Sequence, residues 1–263
     1  MAPPLIEFSQ ACTSAANLGG QVLMKWLGKT TPKEKGFRDL VTQADLESQQ
    51  VIRDFLLKEF PDHRFIGEED SHEETESLTD EDFCWIADPL DGTTNYVHQL
   101  RSFAVSIALQ RGNETLVGSV LDPVLQENYS AIKNHGAMLN GEPIHTSGCD
   151  KLSKALFVFS FGRGIYRNDV QVTRFLNTLE SAGSIRRLGS AALNLCYLAC
   201  GRVDGYWATE LKKWDVAAGW LIATEAGATI KDFRGKPIDL DSPYFCATST
   251  ERLYEQIQPL LNI

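Results

Sequence analysis

Asp88-Pro89-Leu90-Asp91-Gly92-Thr93-Thr94-Asn95, entered from the apolar segment Phe83-Cys84-Trp85-Ile86-Ala87, is the stretch from which the rest of the chain is read. Pro89 disfavours the helical region for the residue before it, so Asp88 leaves an extended strand and its carboxylate projects from the sheet's edge. Gly92 permits a sharp change of backbone direction, and Thr93, Thr94 and Asn95 supply hydroxyl and amide groups where a helix can begin. The N–H groups and dipole of a helix start favour an anion such as phosphate. The carboxylates of Asp88 and Asp91 meanwhile supply the hard oxygens that magnesium prefers. A capped turn has the same composition, because Asp, Pro, Gly, Thr and Asn all favour loops. Acids elsewhere in the chain decide between the two readings.

Such acids are present. Phe65-Ile66-Gly67-Glu68-Glu69-Asp70 places three of them after a short apolar stretch, ahead of the acidic and polar run from Ser71 to Asp82. Lys213-Trp214-Asp215-Val216-Ala217-Ala218-Gly219 puts another at the start of a helix whose apolar body continues through Trp220, Leu221, Ile222 and Ala226. Asp39-Leu40-Val41-Thr42-Gln43-Ala44-Asp45 leads into a helix with Val51, Ile52, Phe55 and Leu56 on its apolar face, halted by Pro61. Read singly, Asp45 is a helix-start acid, Asp215 an N-cap and the Glu68 cluster a solvated face. Their coincidence with the Asp88 run favours a metal and phosphate site.

These segments resemble the signatures of the inositol monophosphatase family: G-E-E at Gly67 to Glu69, D-P-L-D-G-T-T-N at Asp88 to Asn95, and W-D-V-A-A-G at Trp214 to Gly219. Asp39-Leu40-Val41-Thr42 followed by Asp45 is similar to the family's N-terminal motif. The resemblance covers nearly the whole chain in the expected order. It implies membership of the lithium-sensitive, magnesium-dependent phosphatases, which include fructose bisphosphatases and phosphoadenosine phosphatases. The implied fold is an α/β (α+β) layered α-β-α-β-α sandwich. An N-terminal lobe over 1–150 would carry most metal and phosphate ligands. A C-terminal lobe over 151–263 would carry Asp215 and much of the substrate cleft, the two forming one closely joined catalytic unit.

The site roles follow from the same resemblance. Glu68, Asp88 and the Leu90 carbonyl would hold one magnesium, and Asp88, Asp91 and Asp215 a second, with Asp88 bridging. Glu68 would serve again for a weaker third ion, giving two or three magnesium ions per active site. Glu69 would position water, and Thr93, supported by Asp45, would orient the attacking one. Gly92, Thr93 and Thr94 would bind phosphate, with Ala191, Glu210 and Asp215 on the substrate side. Such crowding of acids suits phosphomonoester hydrolysis, because divalent ions relieve the carboxylates' repulsion, activate water and stabilise the leaving oxygen.

The substrate is less determined. Inositol-selective relatives carry a glutamate seven residues before the W-D aspartate, and here that position is Ala208. Glu210 stands two residues further on, and the sequence leaves open whether it reaches the same place. Lost pairing of a substrate hydroxyl weakens discrimination. An inositol or related sugar or polyol phosphate is therefore the first expectation, with histidinol phosphate, fructose 1,6-bisphosphate and 3'-phosphoadenosine 5'-phosphate behind it. Ser160-Phe161-Gly162-Arg163-Gly164 and Arg186-Arg187-Leu188-Gly189-Ser190-Ala191 fall where the family lines its cleft, Arg186 or Arg187 reaching either substrate or a partner subunit. A different class, an interaction protein that retains the fold, is the remaining alternative, since some bacterial relatives act with the transcription machinery.

Composition fits a globular enzyme. The 263 residues are 43% hydrophobic and 23% charged, with a formal charge of −10. That charge, with no dense Lys/Arg stretch, argues against nucleic acid as a partner. No membrane-spanning run or secretory signal is evident. The six cysteines form no C-x-x-C pair, which points to a reduced, cytoplasmic setting. The five histidines lack zinc spacing, and neither a dinucleotide fingerprint nor a G-x-S-x-G elbow is present. The family implies a homodimer.

Periodicity predicts helices over Leu5 to Leu27, Ala44 to Phe60, Val170 to Ser181, Ala191 to Cys200, Trp214 to Ala226 and Leu253 to Leu261, the last interrupted at Pro259. Strands are predicted over Phe83 to Ala87, Phe103 to Gln110, Leu116 to Leu121, Asn128 to Ala131 and Ala155 to Phe159, with a hairpin turn at Asn140-Gly141.

Overall fold

The computed structural model describes residues 5–36, 39–70, 82–162, 164–241 and 243–263. The acidic run 71–81, Arg163 and the Asp39 side chain, all noted above, lie outside the described residues.

Helix α1 (Leu5–Trp26) buries Phe8, Ala11, Cys12, Ala15, Ala16 and Leu23, a stripe at helical spacing. An antiparallel pair, β1 (Lys33–Gly36) and β2 (Asp39–Val41), leads into α2 (Gln43–Glu59). Thr42 caps that helix by accepting from the Ala44 amide at 3.0 Å, and its own amide donates to Asp45 at 2.9 Å, a reciprocal capping box.

A seven-stranded sheet follows. It comprises β3 (Arg64–Gly67), β4 (Phe83–Asp91), β5 (Ala104–Arg111), β6 (Glu114–Asp122), β7 (Glu127–Ile132), β8 (Ala137–Leu139) and β9 (Glu142–Ile144), neighbours in that order. Only β3 and β4 are parallel, and the one-turn helix α3 (Thr93–Val97) sits between β4 and β5. Asn140-Gly141 joins β8 to β9, as the dipeptide predicts.

The second half supplies β10 (Leu156–Ser160), α4 (Val170–Ser181), β11 (Ser184–Arg186), α5 (Ala191–Ala199), β12 (Gly205–Ala208), α6 (Lys213–Glu225), β13 (Thr229–Lys231), β14 (Phe245–Thr248) and α7 (Glu251–Leu261). Its five strands run in the order β11-β10-β12-β14-β13. Helix α7 continues through Pro259 without a break. The proline sits in the last turn, where few further helical bonds depend on it.

Strand alternation sorts the side chains into layers. On β4, Trp85 and Ala87 join the core shared with α1 and α2, while Cys84 and Ile86 face α5 and α6. On β10, Phe157 and Phe159 pack toward α7, and Val158 faces the central helices. The result is the α-β-α-β-α order that the resemblance implies, with α5 and α6 shared between the sheets in one continuous core. Gly118 of β6 permits this closeness: a Cβ there would lie 3.0 Å from the Ala218 Cα of α6. Among the described residues no helix is long and apolar enough to cross a membrane.

One prediction near the decisive stretch is corrected. The strand does not stop at Ala87 but runs to Asp91, and its register with β5 jumps from Asp88↔Ser106 to Asp91↔Ala104. One extra residue is thereby accommodated as a bulge around Pro89, which has no N–H to give the ladder.

Candidate active site

The bulge and the turn after it bring the acids together. Gly92 takes φ +92°, a left-handed conformation that side chains resist, and so turns the chain from β4 directly into α3. A cleft of about 210 Å³ opens there. Glu68, Asp88, Leu90, Asp91 and the Gly92-Thr93-Thr94 turn line it from the first half of the chain. Gly189, Ala191 and Asp215 face them from the second half, with Ser160, Phe161, Arg187 and Leu211 nearby.

Each acid is held by specific donors. Asp88 is 1% exposed, and its Oδ1 accepts from the Leu90 amide at 2.9 Å. Burial, and then the charges of Glu68, Asp91 and Asp215, hold its carboxyl well above the usual range. Asp91 accepts from the Ser190 hydroxyl and from the amides of Ala192 and Ala191 at 2.8 and 3.2 Å. Those donors oppose its burial, which still pushes the carboxyl up to about 6. Asp45 Oδ2 takes the Thr42 hydroxyl at 2.7 Å, and burial raises this carboxyl to about 6 as well. Thr93 Oγ1 lies 3.4 Å from Asp45 Oδ1 and 3.1 Å from the Leu90 carbonyl.

Lys35 of β1 reaches into the acid cluster. Its Nζ donates to Glu69 Oε1 at 2.6 Å and to Glu68 Oε1 at 3.2 Å. Burial pushes Glu69 up to about 7 against the lowering effect of that ammonium. Burial acts to lower the Lys35 pKa, but the two glutamates outweigh it and raise it.

Most predicted site residues converge, and some do not. Glu68, Asp88, Leu90, Asp91, Gly92, Thr93, Thr94, Ala191 and Asp215 line one cleft. Asp45 and Glu69 stand behind it, against Thr93 and Lys35. Asp215 is not an N-cap: it is the third residue of α6, and its Oδ2 accepts the Lys212 amide at 2.7 Å. Glu210 does not line the cleft. It adopts φ +57°, and its Oε1 accepts from Gln171 Nε2 at 3.3 Å, beside Gly162. Ala208 is fully buried in the central core, so the position of the family's glutamate carries no carboxylate. Of the two candidate arginines, Arg187 lines the cleft, whereas Arg186 bonds to Ser184 and the Ile185 carbonyl. The Lys35 contacts and the lining of the cleft by Leu40 and Leu211 emerge only from the structure. Ser190 lay in the Arg186–Ala191 stretch expected at the cleft, and it caps α5 directly after Gly189.

The donor set fits a hard divalent cation: carboxylate and carbonyl oxygens, with Asp88 raised by burial and then by crowding among like charges. The Lys35 ammonium pairs with Glu68 and Glu69 at the edge of this acid cluster. As they stand, these carboxylates are engaged by protein donors. Among the described residues no three acids, histidines or thiols are gathered tightly enough to grip one ion.

This combination of fold and cleft defines an acid-lined site beside the Gly92-Thr93-Thr94 turn. The model of the inositol monophosphatase family matches residues 6–262, and the chain belongs to that family of phosphoric monoester hydrolases. It is 41% identical over 247 residues to the inositol monophosphatase of Mesembryanthemum crystallinum, covering 90% of this chain and 89% of that one. It is 36% identical over 255 residues to the Nus factor SuhB of Pasteurella multocida, covering 94% of each. Staphylococcal inositol monophosphatase-1, in a LiCl-soaked inhibitory complex, superposes with a TM-score of 0.87 at 26% identity, covering 100% of this chain and 97% of that one.

Proposed function

We propose that the protein is a magnesium-dependent phosphatase that hydrolyses a small phosphomonoester, inositol-1-phosphate or a related sugar or polyol phosphate, by direct attack of water. The observation that carries this reading is the convergence of Glu68, Asp88, Asp91 and Asp215 on one cleft beside the Gly92-Thr93-Thr94 turn.

Glu68, Asp88 and the Leu90 carbonyl would hold one ion, and Asp88, Asp91 and Asp215 another, with Glu68 shared by a third. When bound, magnesium lowers the pKa of water and neutralises charge on the phosphoryl and leaving oxygens. The chain supplies orientation. Thr93 points its hydroxyl proton toward Asp45 or the Leu90 carbonyl, which leaves lone pairs to accept a hydrogen bond from the attacking water. Glu69 holds water from behind. The Gly92-Thr93-Thr94 turn receives the phosphate, and the Ser190, Ala191 and Ala192 donors fix the plane of the Asp91 carboxylate.

The working form in this reading is a cytoplasmic homodimer, supported by the family resemblance and by six free thiols. A binding role beside catalysis is favoured by the likeness to the Nus factor SuhB. Its test is association of the Asp88→Asn protein with the transcription machinery of its own organism. The primary test is phosphate release across a panel of phosphomonoesters with magnesium, with EDTA and with lithium. Activity should vanish on chelation and fall with lithium. Turnover that survives exhaustive chelation overturns the proposal.

A further inference from the structure

Among the described residues that line the cleft, Arg187 is the one cation. Its position is built. The guanidinium carbon lies 5.8 Å from the centroid of the Phe161 ring. Phe161 packs edge-on against Phe159 at 4.8 Å and against Trp207 at 5.8 Å, two side chains of the C-terminal core. The loop that carries it is tied down where the Gly162 amide donates to Gln171 Oε1 at 3.0 Å. Arg187 nevertheless makes no ion pair with any described carboxylate, although four acids line the same cleft. Its neighbour Arg186, by contrast, commits its guanidinium to Ser184 and to backbone.

With phosphate at the Gly92 turn, the leaving group must occupy the remainder of the cleft, formed by Ser160, Phe161, Arg187 and Leu211. Among the described residues, that part presents an aromatic ring, an aliphatic side chain, one hydroxyl and a guanidinium, and no carboxylate beyond the four clustered acids. Glu210 is turned to Gln171, and position 208 is a buried alanine. A guanidinium offers a planar fork of donors matched to an oxyanion.

We infer that Arg187 selects leaving groups that carry a second anionic group, a phosphate or a carboxylate, over neutral polyols. This rests on the phosphatase reading and narrows it to doubly anionic esters.

The test measures kcat and KM at saturating magnesium for the wild type and for Arg187→Ala and Arg187→Lys. Inositol-1-phosphate serves as the ester with a neutral leaving group. Fructose 1,6-bisphosphate and a phosphorylated hydroxycarboxylate are the two doubly anionic arms, and they tell phosphate from carboxylate. Arg187→Ala should lower kcat/KM by about 10- to 100-fold on a doubly anionic ester, chiefly through KM, and by less than about twofold on inositol-1-phosphate. Arg187→Lys should recover part of the loss, and added salt should shrink it. An equal loss on all esters, no loss on any, or a loss that follows dissociation of an oligomer on size exclusion overturns the inference while the phosphatase reading stands. A wild type that hydrolyses none of the esters overturns both.

Discussion

Substituting Gly118 by alanine tests whether the helix that carries Asp215 is seated on the first sheet as closely as the structure shows. The new Cβ would stand 3.0 Å from the Ala218 Cα and 3.1 Å from its carbonyl oxygen. Both are helix backbone, so no side chain can swing away, and α6 must retreat by a few tenths of an ångström. Overpacking of this kind costs about 1–3 kcal/mol. An alanine replacing glycine would otherwise gain about 0.4–1 kcal/mol through the unfolded chain. The net cost, up to about 2.6 kcal/mol, corresponds for a chain of this size to a fall in Tm of up to about 10 °C. Asp215 lies one helical turn before Ala218, so it moves with the helix. In the proposed reading, where Asp215 holds a metal, a displacement of that size lowers turnover by about three- to tenfold, given about a hundredfold for a full ångström. Thermal denaturation and phosphate release on the same preparation read both effects. A Gly118→Ala protein that is as stable as the wild type and turns over normally would refute this seating of α6.

Other expectations follow from the site. Ser190→Ala removes a donor to Asp91 and the side-chain cap of α5, which bonds the Leu193 amide at 3.2 Å; denaturation should show a loss of about 1–3 kcal/mol, and a neutral result would contradict the bond. Asp88→Asn should abolish most activity yet stabilise the metal-free protein, because it removes a carboxyl that burial and three neighbouring acids hold high; near-normal turnover at saturating magnesium would sink the assignment. In EDTA, Asp45, Asp91 and Glu69 have folded pKa values of about 6, 6 and 7, above their ordinary ones, so the native state binds more protons and their contribution to stability falls as pH rises from about 4 to 7. For Asp45 alone the rise from 3.8 to about 6 is worth about 3 kcal/mol, which Asp45→Asn should remove from the urea-denaturation profile. His63, lowered by burial between Phe60 and Phe83, works in the opposite sense through the same window, so the mutant difference and not the raw slope is the measurement.

Much of this was legible before the structure. Long helices announced themselves because one face of each is buried, as with Phe8, Cys12 and Ala15 on α1. The acids were legible because Asp-Pro and Asp-Gly force extended backbone and then a turn. The short strands β11 to β14 were not. Segments such as Gly205–Ala208 and Phe245–Thr248 are buried on both faces, so no alternation marks them. Lys35 sits in an exposed four-residue strand of alternating charge, and only the folded hairpin shows that it meets Glu68 and Glu69. Glu210 was put on the substrate side because it stands two residues past the family's glutamate position at Ala208, and the sequence left its reach open. Its positive φ and the buried Gln171 turn it elsewhere, and neither is encoded by spacing.

The donors that hold Asp91 also bear on how the chain is made. Ser190 is 99 residues beyond the carboxylate it serves, and Ala192 is 101. Synthesis proceeds from the N-terminus, so Asp88 and Asp91 leave the ribosome long before anything that can satisfy Asp91 exists. Until then water must solvate both carboxylates, and the end of β4 cannot be sealed. A nascent chain halted before Ser190 should therefore carry a nearly complete first sheet with an open, hydrated acidic edge. Such an intermediate is protected from sticking to its neighbours by the same charges that line the finished cleft.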